Sequence, residues 1–397
     1  MHDTRNYFLS CILNLVSCIL FKFMTDRKLT ILHTEASKGW GGQEIRIFQE
    51  SLKFAQCGHR ILIACQEGSK ISQKAKEAGF SVYIIRMEYH VAPIAVCKFL
   101  KIVKDEKVDI IHTHSSKDSW LAGIAGRISV TPVVRSRHLT TPVGQNYLTA
   151  FVYRHLCDII ITSGMHIRDT LITRNKLNPE KIVSIPAGVD TEKFHLNISG
   201  DKIRTEFKLE NSYPVVGTVA ILRHWKGHRF LLEAVPKVIS IFPEAKFLII
   251  GDGPQMDNLR SQIHSLNIEK HVIMPGFRND VPEIMSALDI FILPSVASEA
   301  TSQVIPQALA EGKPVIAADA GGLSEIIEDG ITGLLIPPGN SDAIAGAIIR
   351  MAKNKEEAKG MASRGRNKIL EGYTFQKMTE DTEKVYYQVL KKRGGAN

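Results

Sequence analysis

The strongest constraint on this chain is an alternation that occurs twice: short β-branched runs separated by longer stretches of helical period. In the first half the runs are Leu29–His33, Arg60–Ala64, Ser81–Ile85, Val108–His112, Thr131–Val134, Asp158–Thr162 and Lys181–Ile185. The segments between them, such as Ile45–Gln56 and Ile94–Asp105, repeat apolar residues at helix spacing. A polar stretch from Asp190 to Tyr213 interrupts the pattern. It then resumes with Val215–Ala220, Lys246–Gly251, His271–Met274, Asp289–Leu293, Pro314–Ala317 and Leu334–Ile336. Strands alternating with helices build βαβ units and a parallel sheet. Two such series imply an α/β chain of two facing Rossmann-like domains, over residues 24–200 and 201–374, with a last helix from 375 to 397 expected to return to the first domain. In open α/β sheets ligands sit beyond the carboxyl ends of the strands, so the site is expected in the cleft between the lobes.

Composition narrows the class. The chain has 397 residues, 44% hydrophobic and 23% charged, which excludes a disordered, collagenous or polytopic membrane protein. Six cysteines (Cys11, Cys18, Cys57, Cys65, Cys97, Cys157) form no CxxC pair, so neither a zinc site nor a disulfide framework is indicated. A net charge of +9 favours anionic partners without choosing among phosphates, membrane surfaces and nucleic acid. From Tyr7 to Phe21 twelve of fifteen residues are apolar, which is shorter than the ~20 needed to span a bilayer. Met24 then reads like a natural start into the first strand, so residues 1–23 are an upstream extension, an interfacial anchor helix or an uncleaved signal.

Polar motifs cluster where strands end. Gly39-Trp40-Gly41-Gly42-Gln43-Glu44 follows the first strand and opens a helix, a place where backbone can approach an anion closely. His112 and His114, two apart at the end of a strand, point the same way; a metal pair would need a third ligand, and the sequence offers none. Arg135-Ser136-Arg137-His138 ends the next strand with three basic residues. Arg223 and Lys226-Gly227 lie between a strand and a helix, which suits a diphosphate clamp. Gly251-Asp252-Gly253-Pro254 ends the following strand. The most informative stretch runs from Leu293 to Ala317: a strand ends in Pro294-Ser295, a loop carries Glu299, and Gly312-Lys313-Pro314 stops the next helix. Gly321-Gly322-Leu323-Ser324-Glu325-Ile326-Ile327 gives a further glycine-rich helix start.

Pro-Ser-x₃-Glu, the helix end Ala-Leu-Ala-x-Gly-x-Pro-Val, and Gly-Gly-x-x-Glu-Ile-Ile together resemble the donor-site block of family-4 retaining glycosyltransferases with the GT-B fold. The remaining motifs fall in the family's order from about Leu29 to Leu390, and the Ser-Lys-Asp and Arg-His strand ends resemble bacterial members that build lipopolysaccharide and other envelope glycans. The resemblance implies that Glu299 holds donor-sugar hydroxyls and that amides around Thr301 and Ser302 face the diphosphate. It implies that Lys226, assisted by Arg223, neutralises that leaving group, with Gly41 and Gly42 lying against it from the other lobe. His114 is the match for a histidine near the donor sugar, Phe277 and Arg278 for residues flanking the nucleobase, and Gly251 and Gly253 for donor-side loop glycines. Two departures stand out. Gln307 replaces the second carboxylate of Glu-x₇-Glu, which in the family holds the ribose diol, and Ile221 occupies the usual arginine position five residues before Lys226.

The implied reaction is sugar transfer from a nucleotide sugar, UDP-linked in the commonest family choice, to a glycan or lipid-linked hydroxyl. Lys226, Arg223 and a helix N-terminus would stabilise the leaving diphosphate with no metal or cofactor. The alternatives are a nucleotide-sugar epimerase of the same fold and a non-catalytic sugar-nucleotide binder. A nucleic-acid partner is not expected, since no basic-aromatic module is present. Lys98, Lys101 and Lys104, spaced three apart in an apolar helix pattern, lead us to expect a cytoplasmic protein held peripherally on anionic lipid at the inner face of the membrane.

Overall fold

The computed structural model describes residues 27–138, 143–144, 146–297, 299 and 302–394. The apolar stretch at residues 1–23 lies outside them, as does Thr301. The first sheet contains β1 (Thr30–Glu35), β2 (Arg60–Cys65), β3 (Ser81–Ile84), β4 (Ile110–Thr113), β5 (Val133–Arg137), β6 (Ile159–Thr162) and β7 (Ile182–Ser184), in the order β3-β2-β1-β4-β5-β6-β7. The second contains β8 (Val215–Val219), β9 (Lys246–Ile250), β10 (Val272–Gly276), β11 (Ile290–Leu293), β12 (Val315–Ala318) and β13 (Leu334–Ile336), ordered β10-β9-β8-β11-β12-β13. Every pairing is parallel. This is the expected α/β fold of two Rossmann-like lobes.

Each sheet is buried on both faces, which is why its strands read as continuous apolar runs. Leu32, Leu62, Ile111, Val133 and Ile160 belong to the core on one side of the first sheet. Their neighbours Ile31, Ile61, Ile110, Val134 and Ile159 belong to the core on the other. The second sheet divides the same way, with Val216, Phe247 and Ile290 on one face and Val215, Leu248 and Phe291 on the other.

The stretch from Asp190 to Tyr213 is not merely a polar connector. It contains the helix Asp201–Glu206, and Phe194, Ile203 and Leu209 are buried in the core of the second lobe. Its apolar residues are too few and too widely spaced to show a period in the sequence.

The helix Phe375–Gly394 leaves the second lobe and packs on the first. Backbone bonds fix its start: Val189 N–H donates to the Tyr373 carbonyl at 2.8 Å, and Phe375 N–H donates to the Val189 carbonyl at 3.0 Å. Phe375, Met378, Val385, Tyr386 and Val389 enter the core beneath β1 and β2. Tyr386 is fully buried beside Phe54, with its hydroxyl 2.6 Å from Nδ1 of His112.

That contact generates a stability test. Tyr386→Phe leaves a buried ring nitrogen unpaired and should cost ~1–3 kcal/mol. Tyr386→Ala adds a cavity and should cost ~3–5 kcal/mol. Urea unfolding with amide exchange on the first sheet checks both; equal midpoints for the two variants would contradict the packing described.

Candidate functional site

Three loops at the C-terminal edge of the second sheet lock onto one another. The loop after β8 carries Arg223, Lys226 and Gly227, the loop after β11 carries Glu299 and Ser302, and the loop after β12 carries Gly321 and Gly322. Val296 N–H donates to the Trp225 carbonyl at 2.8 Å, and Gly322 N–H donates to the Glu299 carbonyl at 3.0 Å. Gly227 and Gly321 permit this approach: at φ of 72° and 66°, a side-chain carbon would stand 1.9 Å from the Pro294 oxygen and 2.0 Å from the Glu299 oxygen.

Inside this lock Glu299 is only 5% exposed. Burial of a carboxylate is costly unless it is paired, and here the pairing is direct. Lys226 Nζ lies 2.5 Å from Oε1 of Glu299, and the Ser295 hydroxyl donates to the same oxygen at 2.6 Å. Ser302 is buried in the same loop, and Gln307 is half-buried on the helix Val304–Ala310.

The other expected donor-side residues divide. Arg223 is exposed, with its guanidinium 5.0 Å from the centre of the Trp225 ring. Gly251 and Gly253 have a packing reason for being glycine, because side-chain carbons there would meet the Ala220 and Leu222 carbonyl oxygens at 1.9 and 2.7 Å. Phe277 is 69% exposed on the rim after β10. Arg278 is committed elsewhere: Asp280 at 2.6 Å and Glu206 at 2.5 Å hold its guanidinium and raise its proton affinity. Of the pair expected beside a nucleobase, only the Phe277 ring stands open.

The first lobe faces this edge with its own strand ends. Gln303 Nε2 donates across to the Gly42 carbonyl at 3.4 Å. Glu325 accepts the amide protons of Met165 and His166 at 2.7 and 2.6 Å, at the N-terminus of the helix Met165–Thr173. These bonds bring the carboxyl ends of both sheets to one cleft. A side-chain carbon on Gly42 would have nothing within 4 Å, and one on Gly41 would meet only Glu44 Oε2 at 3.5 Å. The fold therefore does not demand glycine there, and the backbone lies open to the cleft.

His114, the residue after β4, is buried, and both of its ring nitrogens are taken. Nε2 lies 3.0 Å from Nδ1 of His33, and Nδ1 lies 3.2 Å from Nε2 of His138. The sequence shows no third ligand for a metal pair; the fold supplies one, since His33, His112 and His114 have nitrogens within 4.8 Å of one another. His112, however, pairs Nδ1 with Tyr386 and Nε2 with Ser136 at 2.8 Å. Hydrogen bonds already account for the nitrogens of His112 and His114. Burial pushes the His33 imidazole down to about 3 and those of His112, His114 and His138 well below their ordinary value.

Sequence reading missed His33 and Glu35, and it noted Asp118 only within the Ser-Lys-Asp strand end, without a role. Glu35 takes the Ser37 amide at 2.7 Å and the Gln43 side chain at 2.5 Å, fastening the Gly41–Gly42 loop to β1. Burial, reinforced by nearby Asp118, pushes its carboxyl up to about 7. Asp118 accepts from the His114 amide at 2.8 Å and from the Thr34 hydroxyl at 2.7 Å. Ser115-x-x-Asp118 is a capping-box spacing, the one signal that could have identified it.

Residues 40–193 match the family model described as Glycosyltransferase Family 4, and residues 199–368 match Glycosyl transferases group 1. A UDP-Gal:alpha-D-GlcNAc-diphosphoundecaprenol alpha-1,3-galactosyltransferase of Escherichia coli is 27% identical, over 92% of this chain and 98% of that protein. A phosphatidyl-myo-inositol mannosyltransferase of Mycolicibacterium smegmatis is 24% identical, over 88% and 90% of the two chains. A glycosyltransferase structure from Rickettsia africae is similar at a TM-score of 0.85 and 21% identity, over 92% of this chain and 99% of that one. An Anabaena protein solved in complex with UDP gives 0.80 at 24%, over 90% and 99%. With one family match on each lobe and the GT-B arrangement of two parallel sheets around a cleft, the chain belongs to the family-4, group 1 glycosyltransferases.

Proposed function

We propose that this enzyme moves a sugar from a UDP-linked donor, with retention of anomeric configuration and without a metal, to a hydroxyl of a lipid-linked or glycan acceptor in envelope polysaccharide synthesis. The observation that carries the reading is the Lys226–Glu299 contact at 2.5 Å. One partner suits sugar hydroxyls and the other a diphosphate, so the bond between sugar and diphosphate would lie where the two meet. Cleavage leaves positive charge at the anomeric carbon and negative charge on the leaving group. A fixed carboxylate and ammonium stabilise both in a water-poor loop. Backbone at Gly41 and Gly42 would approach the phosphates from the first lobe, Ser302 from the second, and the open Phe277 ring would cover the base. Arg223 would assist Lys226 only by leaving Trp225. The UDP donor and lipid-linked acceptor are supported by the activity named for the Escherichia coli relative and by the UDP complex of the Anabaena protein.

Glu299 and Gln307 separate transition-state from ground-state contacts. Glu299→Gln should lower kcat by ~10²–10³ with donor affinity largely kept, because its contacts strengthen as the sugar becomes cationic. Gln307→Ala removes a neutral hydrogen-bonding group from a part whose charge does not change, and should raise donor KM roughly tenfold. Gln307→Glu should remain active. Steady-state kinetics with a panel of UDP-sugars checks this, and the reverse pattern would overturn the assignment. Epimerised sugar nucleotide in the absence of any acceptor would establish the epimerase instead.

The acceptor reading also implies membrane contact. Lys98, Lys101 and Lys104 are exposed on the helix Ala92–Asp105, whose opposite side buries Ala95, Phe99, Ile102 and Val103, and Ile94 is 61% exposed beside them. Among the described residues no helix is long and apolar enough to cross a membrane. Protein begun at Met24 should pellet with anionic vesicles at low salt and be released at high salt. Failure to pellet at low salt would end this part of the proposal.

A further inference from the structure

A small basic cavity opens in the helical layer of the first lobe. Phe99, Leu121, Tyr153 and Leu171 share one core, so the helices Ala92–Asp105, Ser116–Ile128, Tyr147–His155 and Met165–Thr173 all pack on one face of the sheet. The cavity lies between the last two. Tyr153 and Arg154 line it from one helix, and Arg174, Asn175 and Lys176 from the turn that follows the other. Glu325 caps the opposite end of the helix Met165–Thr173, so these three residues stand nine helical positions, roughly 13 Å, from the contact between the lobes.

The charge at this place has one sign. Arg154, Arg174 and Lys176 are cationic, and no lining residue is acidic. Asp158 and Asp169, close by in the chain, are already held by Arg127, Arg393 and Arg168. The free carbonyls at the end of the helix Met165–Thr173 repel an anion, and Arg174 and Lys176 reverse that sign. The Tyr153 ring is buried, and the guanidinium of Arg135 lies 3.9 Å from its centre.

Asn175 adds an independent observation. Its Nδ2 donates to the Val143 carbonyl at 3.3 Å, which fixes the amide's orientation and leaves Oδ1 buried without a partner. A buried acceptor left unpaired is costly, so this wall calls for a donor. Cations alone would suit any anion. Cations beside an unpaired acceptor suit an anion that also carries a hydroxyl.

We propose that this cavity is a binding site for a phosphate group bearing a hydroxyl, either inorganic phosphate or the phosphate end of a small hydroxylated ester. It goes beyond the transfer reaction and does not depend on it. Arg154, Arg174 and Lys176 meet the charged oxygens, and Asn175 Oδ1 accepts the hydroxyl proton. The cavity volume of about 290 Å³ falls below the roughly 300–1,000 Å³ of pockets that enclose drug-sized ligands, so it holds a phosphate and a few further atoms but not a nucleotide sugar. The same chemistry occurs in a water-soluble phosphate ester and in a phospholipid headgroup.

Titration calorimetry of the full chain with inorganic phosphate, at constant ionic strength, tests the site. One bound ion should be weakened about tenfold by Arg154→Glu and by Lys176→Glu, each of which removes a charge-assisted bond from an exposed side chain. Arg154→Lys should keep it. Lys226→Gln, which removes the cation of the cleft, should leave it unchanged. Sulfate, which has the charge but no proton at neutral pH, should bind about tenfold more weakly than phosphate, and Asn175→Ala should abolish that preference. Displacement of the ion by glycerol phosphate assigns a soluble ester; displacement only by phosphatidylcholine vesicles carrying phosphatidic acid, at equal phosphate concentration, assigns a lipid headgroup. Native affinity in Arg154→Glu, loss of the ion in Lys226→Gln, or equal affinity of the native chain for sulfate would overturn the proposal.

Discussion

Parallel pairing is the constraint from which the rest of the molecule follows. A parallel strand cannot be reached by a tight turn, so each connection must cross the sheet and return at the same edge. All pairings in both sheets obey this, and every strand therefore delivers its last residue to one rim. The loops that follow β1, β4 and β5 in one lobe and β8, β11 and β12 in the other are the ones that carry Gly42, His114, His138, Lys226, Glu299 and Gly321. Gly42 and Gln303, 261 positions apart, meet because the crossovers deliver them to facing rims.

At that rim charge is handled locally. Glu299 is removed from water, yet Lys226 and Ser295 both meet the same carboxylate oxygen. A buried pair of this kind contributes little net stability, because desolvation offsets most of its attraction. What it contributes is a fixed position for two opposite charges in a place of low dielectric, where a developing charge interacts strongly. The pinned loops supply the rigidity, since the carbonyl of Glu299 is itself held by Gly322.

The fold was legible because burial on both faces writes itself into long apolar runs. All of the expected strands are present, most within one or two residues of their expected ends. The exceptions are instructive. β5 was expected to stop at Val134, but it continues to Arg137 because its polar residues point inward: Arg135 lies 3.9 Å from the centre of the Tyr153 ring, and Ser136 meets His112. Charge normally marks a strand's end, and a cation over a buried ring defeats that signal. The locked loops that carry Ser295, Glu299 and Gly321 were legible as strand-end turns because their residues are close in sequence. The His33, His114 and His138 row was not, because it joins three crossovers, and the commitment of Arg278 depends on Glu206, 72 residues away. No spacing rule reports such encounters.

The bond between Glu325 and the start of the helix Met165–Thr173 has a consequence for how the lobes share their free energy. The helix end belongs to one lobe and the carboxylate that caps it to the other, so neither lobe can satisfy this terminus by itself with these groups. Whatever the contact contributes, ~0.3–1 kcal/mol for a carboxylate at a helix N-terminus, belongs to the joined arrangement alone. It would weight the joined over the parted state by roughly two- to fivefold, a bias small enough for a single substrate hydrogen bond to augment or reverse. The cap is thus a unit of conformational preference, distributed over two bodies, that weakens as the ionic strength of the surrounding water rises.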